Sequence, residues 1–357
     1  MADRAKKERQ SGIELLRLLA GFAVMILHLN YTPGGAGLMT TASGVNKAFL
    51  LGLEAACLCA VNVFILISGW FSSQAKRIGV RKLALLLAET IACQLLLAVA
   101  AGFIDRSWSV RAVLTALLPV NYFVILYLAL MLLSPFINRL LEGLDTRAFI
   151  CLVCLTAGLF SLAAILVDVL EEVSGMPLVG LNPVGISSMN GYSIVQFVMM
   201  YVLGAYMRRV EWPSKCKSPL IAALLVGVVA LLMLWDRYLP GTSRSYCNPL
   251  VIAEACLVFA LFARMKFRSR IVNSLAPASF ICFLLQGPIL VRVDTPTIGS
   301  LPFLQMLGRM LLIMAGIYLA AYLLTLAWNL LAGALNRKWP PSLYLSAADG
   351  LSRRRDS

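Results

Sequence analysis

Apolar residues fall along this chain in long blocks divided by short polar, basic or Pro/Gly-bearing segments. Most blocks approach the ~20 residues that a helix needs to cross a bilayer. We count ten: Ile13–Tyr31, Ala48–Phe71, Leu83–Ile104, Asn121–Ile137, Phe149–Val167, Met189–Met207, Pro219–Trp235, Pro249–Phe262, Val272–Val291 and Phe303–Leu335. The pattern predicts an all-α, polytopic transmembrane helical bundle. Val110–Leu118, ended by Pro119, is a short apolar run that we read as an interfacial or re-entrant segment leading into the fourth span.

Charge tests this count. Basic clusters lie before the first span, at Lys76–Lys82, Arg139–Arg147, Arg208–Lys217 and Arg264–Arg270, and after the last span. The alternate loops hold only Lys47, Arg106, Arg111, Arg237, Arg244 and Arg292. By the positive-inside rule both termini are cytoplasmic. Counting Val110–Leu118 as a span would put the later clusters outside. The predicted organisation is a basic segment at 1–12, a membrane domain at 13–335 and a flexible basic cytoplasmic tail at 336–357. The first apolar run lacks a small-residue cleavage site and is read as a retained span. Asp168–Gly191, without Lys or Arg, is read as an extracytoplasmic loop.

Composition agrees. Hydrophobic residues make up 60% of the chain and charged residues 13%, with a mean hydropathy of +0.85. The net charge of +14 is spread through short loops with no aromatic-interleaved patch, which points to lipid headgroups and away from nucleic acid. Cys57, Cys59, Cys93, Cys151, Cys154, Cys256 and Cys282 lie within apolar runs and are read as small buried hydrophobes. The Cys151/Cys154 pair has no partner at metal spacing, so no metal is expected.

The first span carries two residues that an apolar helix houses at a cost, Arg17 and His28, the latter the one histidine in the chain. Their separation is about three turns plus ~20°, so they share a face, roughly 16 Å apart along the axis. Neither suits a lipid-facing position. Arginine fits phosphate through its planar fork, and histidine fits general-base work near neutral pH. The plain alternatives are an arginine snorkelling to headgroups and a histidine at the interface. In the second span, Glu54 is a candidate to orient His28, against the alternative of a group facing water. Asn62 and Ser68 are candidate hydrogen-bond donors, against plain helix packing, which we favour for Ser68.

Arg17-x10-His28, Phe64–Gly69 ending in Ser-Gly before an aromatic, Arg77 and Arg81 at the start of the third span, Asn121–Asn138 with Tyr127 and Pro135, and Tyr201-x-x-Gly204 together resemble the membrane-bound acyltransferase family 3. The similarity runs in order along essentially the whole chain. One departure stands out: many members carry a second histidine late in the penultimate span, where this chain has Gln286. Glutamine is no base near pH 7, so a two-histidine mechanism is out of reach.

The resemblance implies acyl transfer from cytoplasmic acyl-CoA, acetyl-CoA foremost, to a hydroxyl of a sugar-containing acceptor in a bacterial plasma membrane. Arg17, Arg77, Arg81 and Ser68 would then serve the donor, His28 would be the base with Glu54 behind it, and Asn62 would face the oxyanion. A transporter or flippase with Arg17, His28 and Glu54 along one path is the competing reading. It lacks the matched Gly/Pro-broken helices common in transporters.

Overall fold

The computed structural model describes residues 9–31, 35–119, 121–182, 191–215, 217–338 and 344–346. It is a bundle of helices. We label them α1 (Ser11–Asn30), α2 (Gly44–Ala55), α3 (Ala60–Ser72), α4 (Val80–Ile104), α5 (Tyr122–Glu142), α6 (Thr146–Ser174), α7 (Ile194–Arg209), α8 (Ser218–Tyr238), α9 (Pro249–Ala263), α10 (Ala278–Leu290) and α11 (Phe303–Lys338). Among the described residues seven stretches are long and apolar enough to cross a membrane: α1, the pair α2–α3, α4, α5, α6, α8 and α11. The helices α7, α9 and α10 are shorter. Val110–Ala116 is a short helix packed on α4.

Several expectations change. The second block is not one helix: it breaks at residues 56–59, with no Pro or Gly in the break. Glu254 of α9 lies against the backbone N–H and thiol of Cys59. A carboxyl at the start of α3 suits the four unpaired N–H groups of a helix N-terminus. Cys151 and Cys154 are exposed on α6, not buried, since a helix at the bundle edge turns apolar side chains outward. Among the described residues no group of ligating side chains could hold a metal. The sixth block starts as a helix at Ile194, and Met189 lies outside the described residues. The tail is not wholly free: α11 runs to Lys338, and β2 (Tyr344–Ser346) pairs antiparallel with β1 (Arg77–Gly79). Of the predicted loop Asp168–Gly191, the first residues instead continue α6 to Ser174 and residues 183–190 lie outside the described residues, as do 339–343 and 347–357 of the predicted tail.

The core divides around α1. Ile13, Leu16, Ala20 and Val24 join one cluster with α3, α7 and α9. Met25 and Leu29 join a second with α10 and α11. On a helical wheel the line Arg17–Gly21–Val24–His28 falls along the edge between them.

The tightest approach joins α3 and α7. A Cβ on Gly69 would strike the Tyr201 carbonyl oxygen, and one on Gly204 would strike the Leu66 carbonyl oxygen. Small residues are what allow two backbones this close in a bundle, where lipid offers no hydrophobic drive to associate. The Ser-Gly and Tyr-x-x-Gly motifs thus interlock. Polar ties between loops fall into two sets. Lys76–Glu142 (3.5 Å), Arg209–Leu144 (2.7 Å) and Arg9–Asn273 (3.0 Å) lie at the end that carries Arg17. Arg292–Asp105 (2.6 Å), Gly241–Glu172 (3.1 Å) and Arg244 over Tyr31 (4.5 Å) lie at the end that carries His28. Each tie joins loops that alternate crossings put on one face.

Candidate active site

Three contacts fix how α1 meets its neighbours. The Arg17 guanidinium lies over the Phe71 ring at 5.9 Å, which sets α1 against α3 with the two running in opposite directions. At ~1.5 Å per residue, Val24 then falls level with Phe64 and Gly21 near Ser68. Against α10 the two helices run in the same direction. A Cβ on Gly21 would lie 3.1 Å from Ser279, and one turn on Met25 Sδ is 3.4 Å from Cys282 Sγ.

The α10 register places His28. It is seven residues beyond Gly21, and Gln286 is seven beyond Ser279. Seven residues advance a helix by about 10.5 Å and return it to within ~20° of the same direction. Because Gly21 faces Ser279, His28 faces Gln286. The His28 ring lies against the backbone of Val24, one turn back, and both amide atoms of Gln286 are buried with no hydrogen-bond partner among the described residues. The backbone folds back over this end: Ala36 donates its N–H to the His28 carbonyl at 2.7 Å. Gly35 is required there, because a Cβ would strike the same oxygen.

The most enclosed helix opens toward this line. Between Ala60 and Gly69 of α3, only Phe64 and Ser68 escape full burial, and the exposed Phe71 continues their spacing of four and three. These three share one helix face. Across from them Phe123 meets Phe64 edge-on (6.4 Å) and Phe283 of α10 (5.2 Å). Tyr127 brings its hydroxyl to 3.4 Å from Ser68 Oγ. An aromatic-walled seam therefore runs from Phe71 to the level of Val24, about one turn short of His28.

Below Phe71 the seam meets a cavity of about 1070 Å³, lined by Trp70, Phe71, Lys76, Arg77, Arg139 and Arg208 among others. Asn138 shapes its edge by donating to the Ser72 and Ala75 carbonyls (2.8 and 2.9 Å) while accepting from Tyr201 (2.9 Å). Arg208 donates to Trp70 O at 2.6 Å, and Arg209 to Leu144 O at 2.7 Å with Phe149 beneath it. Both guanidiniums hold helix-end carbonyls.

The sequence candidates therefore separate. Arg77 lines the cavity and is exposed. Arg17 borders it through Phe71 and pairs with Glu14 at 2.9 Å, with 37% of its side chain exposed. Arg81 does not line the cavity. Ser68 lines the seam, its hydroxyl donating to Phe64 O at 2.9 Å. Asn62, 2% exposed, points elsewhere: its amide donates to Tyr246 O (2.9 Å) and accepts from Gln196 (3.3 Å), tying α3 and α7 to the loop before α9. Its burial in that tie is why it does not reach the seam.

Glu54 corrects the expectation that it stands behind His28. It interacts with Asn30, whose amide also donates to Leu50 O at 3.3 Å. Asn30 is two residues past His28, ~160° away around the helix, so α2 and Glu54 flank the opposite side of α1. There Glu54 lines a separate 240 Å³ pocket with Asp236 and Arg244, themselves paired at 3.0 Å. A single path through Arg17, His28 and Glu54 is excluded by the same geometry.

Sequence reading missed Glu14, although its position three residues before Arg17 was a legible ion-pair spacing. It missed Asn138 as the pin of the basic loop, and it read Arg139, Arg208 and Arg209 only as topology signals.

The structure is a helical membrane bundle with a basic cavity at one end and a half-buried histidine in its first helix. The acyltransferase domain of acyltransferase family 3 matches residues 10–333, nearly the whole chain. The chain belongs to that family and is a multi-pass membrane acyltransferase. No curated protein and no solved structure matches it.

Proposed function

We propose that the protein takes an acyl group, acetyl foremost, from acyl-CoA at the cytoplasmic face of a bacterial plasma membrane and places it on a hydroxyl of a sugar-containing acceptor at the other face. The observation that supports this reading is the partly exposed line Phe64–Ser68–Phe71, which leads from the basic cavity along α3 toward His28. Phosphates of CoA match the cavity's guanidiniums through charge-assisted hydrogen bonds. Arg77 and Arg139 are exposed there, and Arg17 stands at the entrance to the seam. The pantetheine arm is slender and extended, and an aromatic-walled seam suits it. It would bring the thioester to His28, about 16 Å from Arg17.

His28 then takes the proton of the acceptor hydroxyl as its oxygen attacks the thioester carbon. The tetrahedral intermediate collapses, the C–S bond breaks, and the imidazolium returns the proton to the departing thiolate. Base catalysis of this kind contributes about 10²–10⁴ in rate.

The test supplies purified protein in lipid vesicles with labelled acetyl-CoA and a cell-envelope extract. Label transfer, or slow release of free CoA thiol, is expected, with a loss of about 10²-fold or more in His28→Ala. Wild-type protein that turns over no thioester would overturn the reading. Full turnover in His28→Ala would keep the enzyme and remove its base.

A further inference from the structure

We infer that Gln286 holds the carbonyl oxygen of the acyl donor during transfer, as a neutral oxyanion donor facing His28. The inference rests on the acyl-transfer reading above. Attack on a thioester moves the carbonyl π pair onto oxygen, and the oxyanion so formed needs hydrogen-bond donors aimed at it. Those donors must lie beside the base, since both groups act on the same carbon.

The other polar side chains named for this role are engaged or at the wrong depth. The Asn62 amide is held by Tyr246 O and Gln196 in a tie that is 2% exposed. Ser68 has a single hydroxyl proton, and it goes to Phe64 O. Ser68 and Tyr127 also sit near the level of Gly21, about 10 Å short of His28. The Ala36 N–H, which folds over the same end, already serves the His28 carbonyl.

Gln286 differs in each respect. It is 1% exposed, yet neither its Nε2 nor its Oε1 has a partner among the described residues. A buried amide left unpaired costs about 1–3 kcal/mol, so a group kept in that state calls for a partner that arrives later. Seven-residue steps from the Gly21–Ser279 contact, with steps of three and four from Met25 and Cys282, turn it toward His28 at about the same depth. Phe283, one turn below on α10, carries the aromatic wall of the seam up to it. In an apolar, water-poor setting fixed N–H dipoles act more strongly than in water.

The chemistry suits an amide. Its NH₂ offers two donors and no acidic proton. It can stabilise the oxyanion without protonating it, and it leaves the proton transfer to His28. The attacking hydroxyl oxygen forms its bond to the carbonyl carbon as His28 takes the hydroxyl proton. The displaced π pair rests on the oxygen bound by Gln286 Nε2. When that pair re-forms the carbonyl, the C–S bond breaks and the thiolate takes the proton back from His28. The balance needs no further reactant.

This role predicts opposite effects on stability and rate. Gln286→Met keeps the side chain's length and apolar stem while removing the unpaired polar atoms. It should raise the melting temperature and lower kcat about 10²–10³-fold, with the KM for acetyl-CoA unchanged. Gln286→Glu, which has no N–H, should lose kcat to a similar extent. Gln286→His, which keeps a ring N–H, should retain more activity than Gln286→Met. A Gln286→Met protein with wild-type kcat would overturn the assignment while leaving the acyltransferase reading intact. So would a lowered melting temperature with activity lost only in proportion to folded protein. Absence of thioester turnover in the wild type would instead remove the reading on which the assignment stands.

Discussion

The two faces of α3 make opposite uses of one helix. The face toward α7 is backbone against backbone: Gly69 and Gly204 each lie where a single methyl would strike a carbonyl oxygen. The opposite face, which meets Phe123 and Tyr127 of α5 and Arg17 of α1, keeps Phe64, Ser68 and Phe71 partly accessible. One face is rigid because it admits no side chain, and that rigidity lets the other stay open. Pre-organisation of a reaction path is bought by close packing on its far side.

Substitution should separate the faces. The largest effect is expected at Gly69→Val, which forces a branched side chain into the Tyr201 carbonyl. It should cost about 3 kcal/mol or more and leave little folded protein by size-exclusion chromatography. Wild-type folding in this variant would break the account of the α3–α7 contact. Asn62→Ala comes next, since it strips a buried tie from Tyr246 and Gln196. A loss of about 1–3 kcal/mol is expected, read as a lowered melting temperature with kcat per folded molecule unchanged. A kcat loss there at unaltered stability would return Asn62 to the reaction path. The smallest effect belongs to Ser68→Ala on the open face. Stability should stay within about 0.5 kcal/mol, and any change should appear in turnover of the thioester, measured as thiol release.

What the sequence could reveal follows from what a single helix determines. The helical membrane bundle and the shared face of Arg17 and His28 were legible from hydrophobic runs and the 3.6-residue period. The depth of Glu54 was legible in the same way. Its direction was not, because azimuth around a neighbouring helix depends on how the two pack, and Asn30 draws Glu54 to the far flank of α1. The facing of His28 and Gln286 was hidden for the same reason. It depends on a register set by Gly21 against Ser279, residues 258 positions apart whose meeting no local pattern signals. The break at residues 56–59 carries no Pro or Gly to announce it, and its partner Glu254 comes from a distant helix. Glu14 was within reach of local reasoning.

The pairing of Tyr344–Ser346 with Arg77–Gly79 has a consequence for biogenesis. The first strand, carrying Arg77 at the rim of the basic cavity, leaves the ribosome with the early spans. Its partner follows only after α11. The strand pairing at the rim of the cavity therefore forms only once residues 344–346 have been made. A nascent chain arrested before that point can insert its membrane helices and still lack a finished rim.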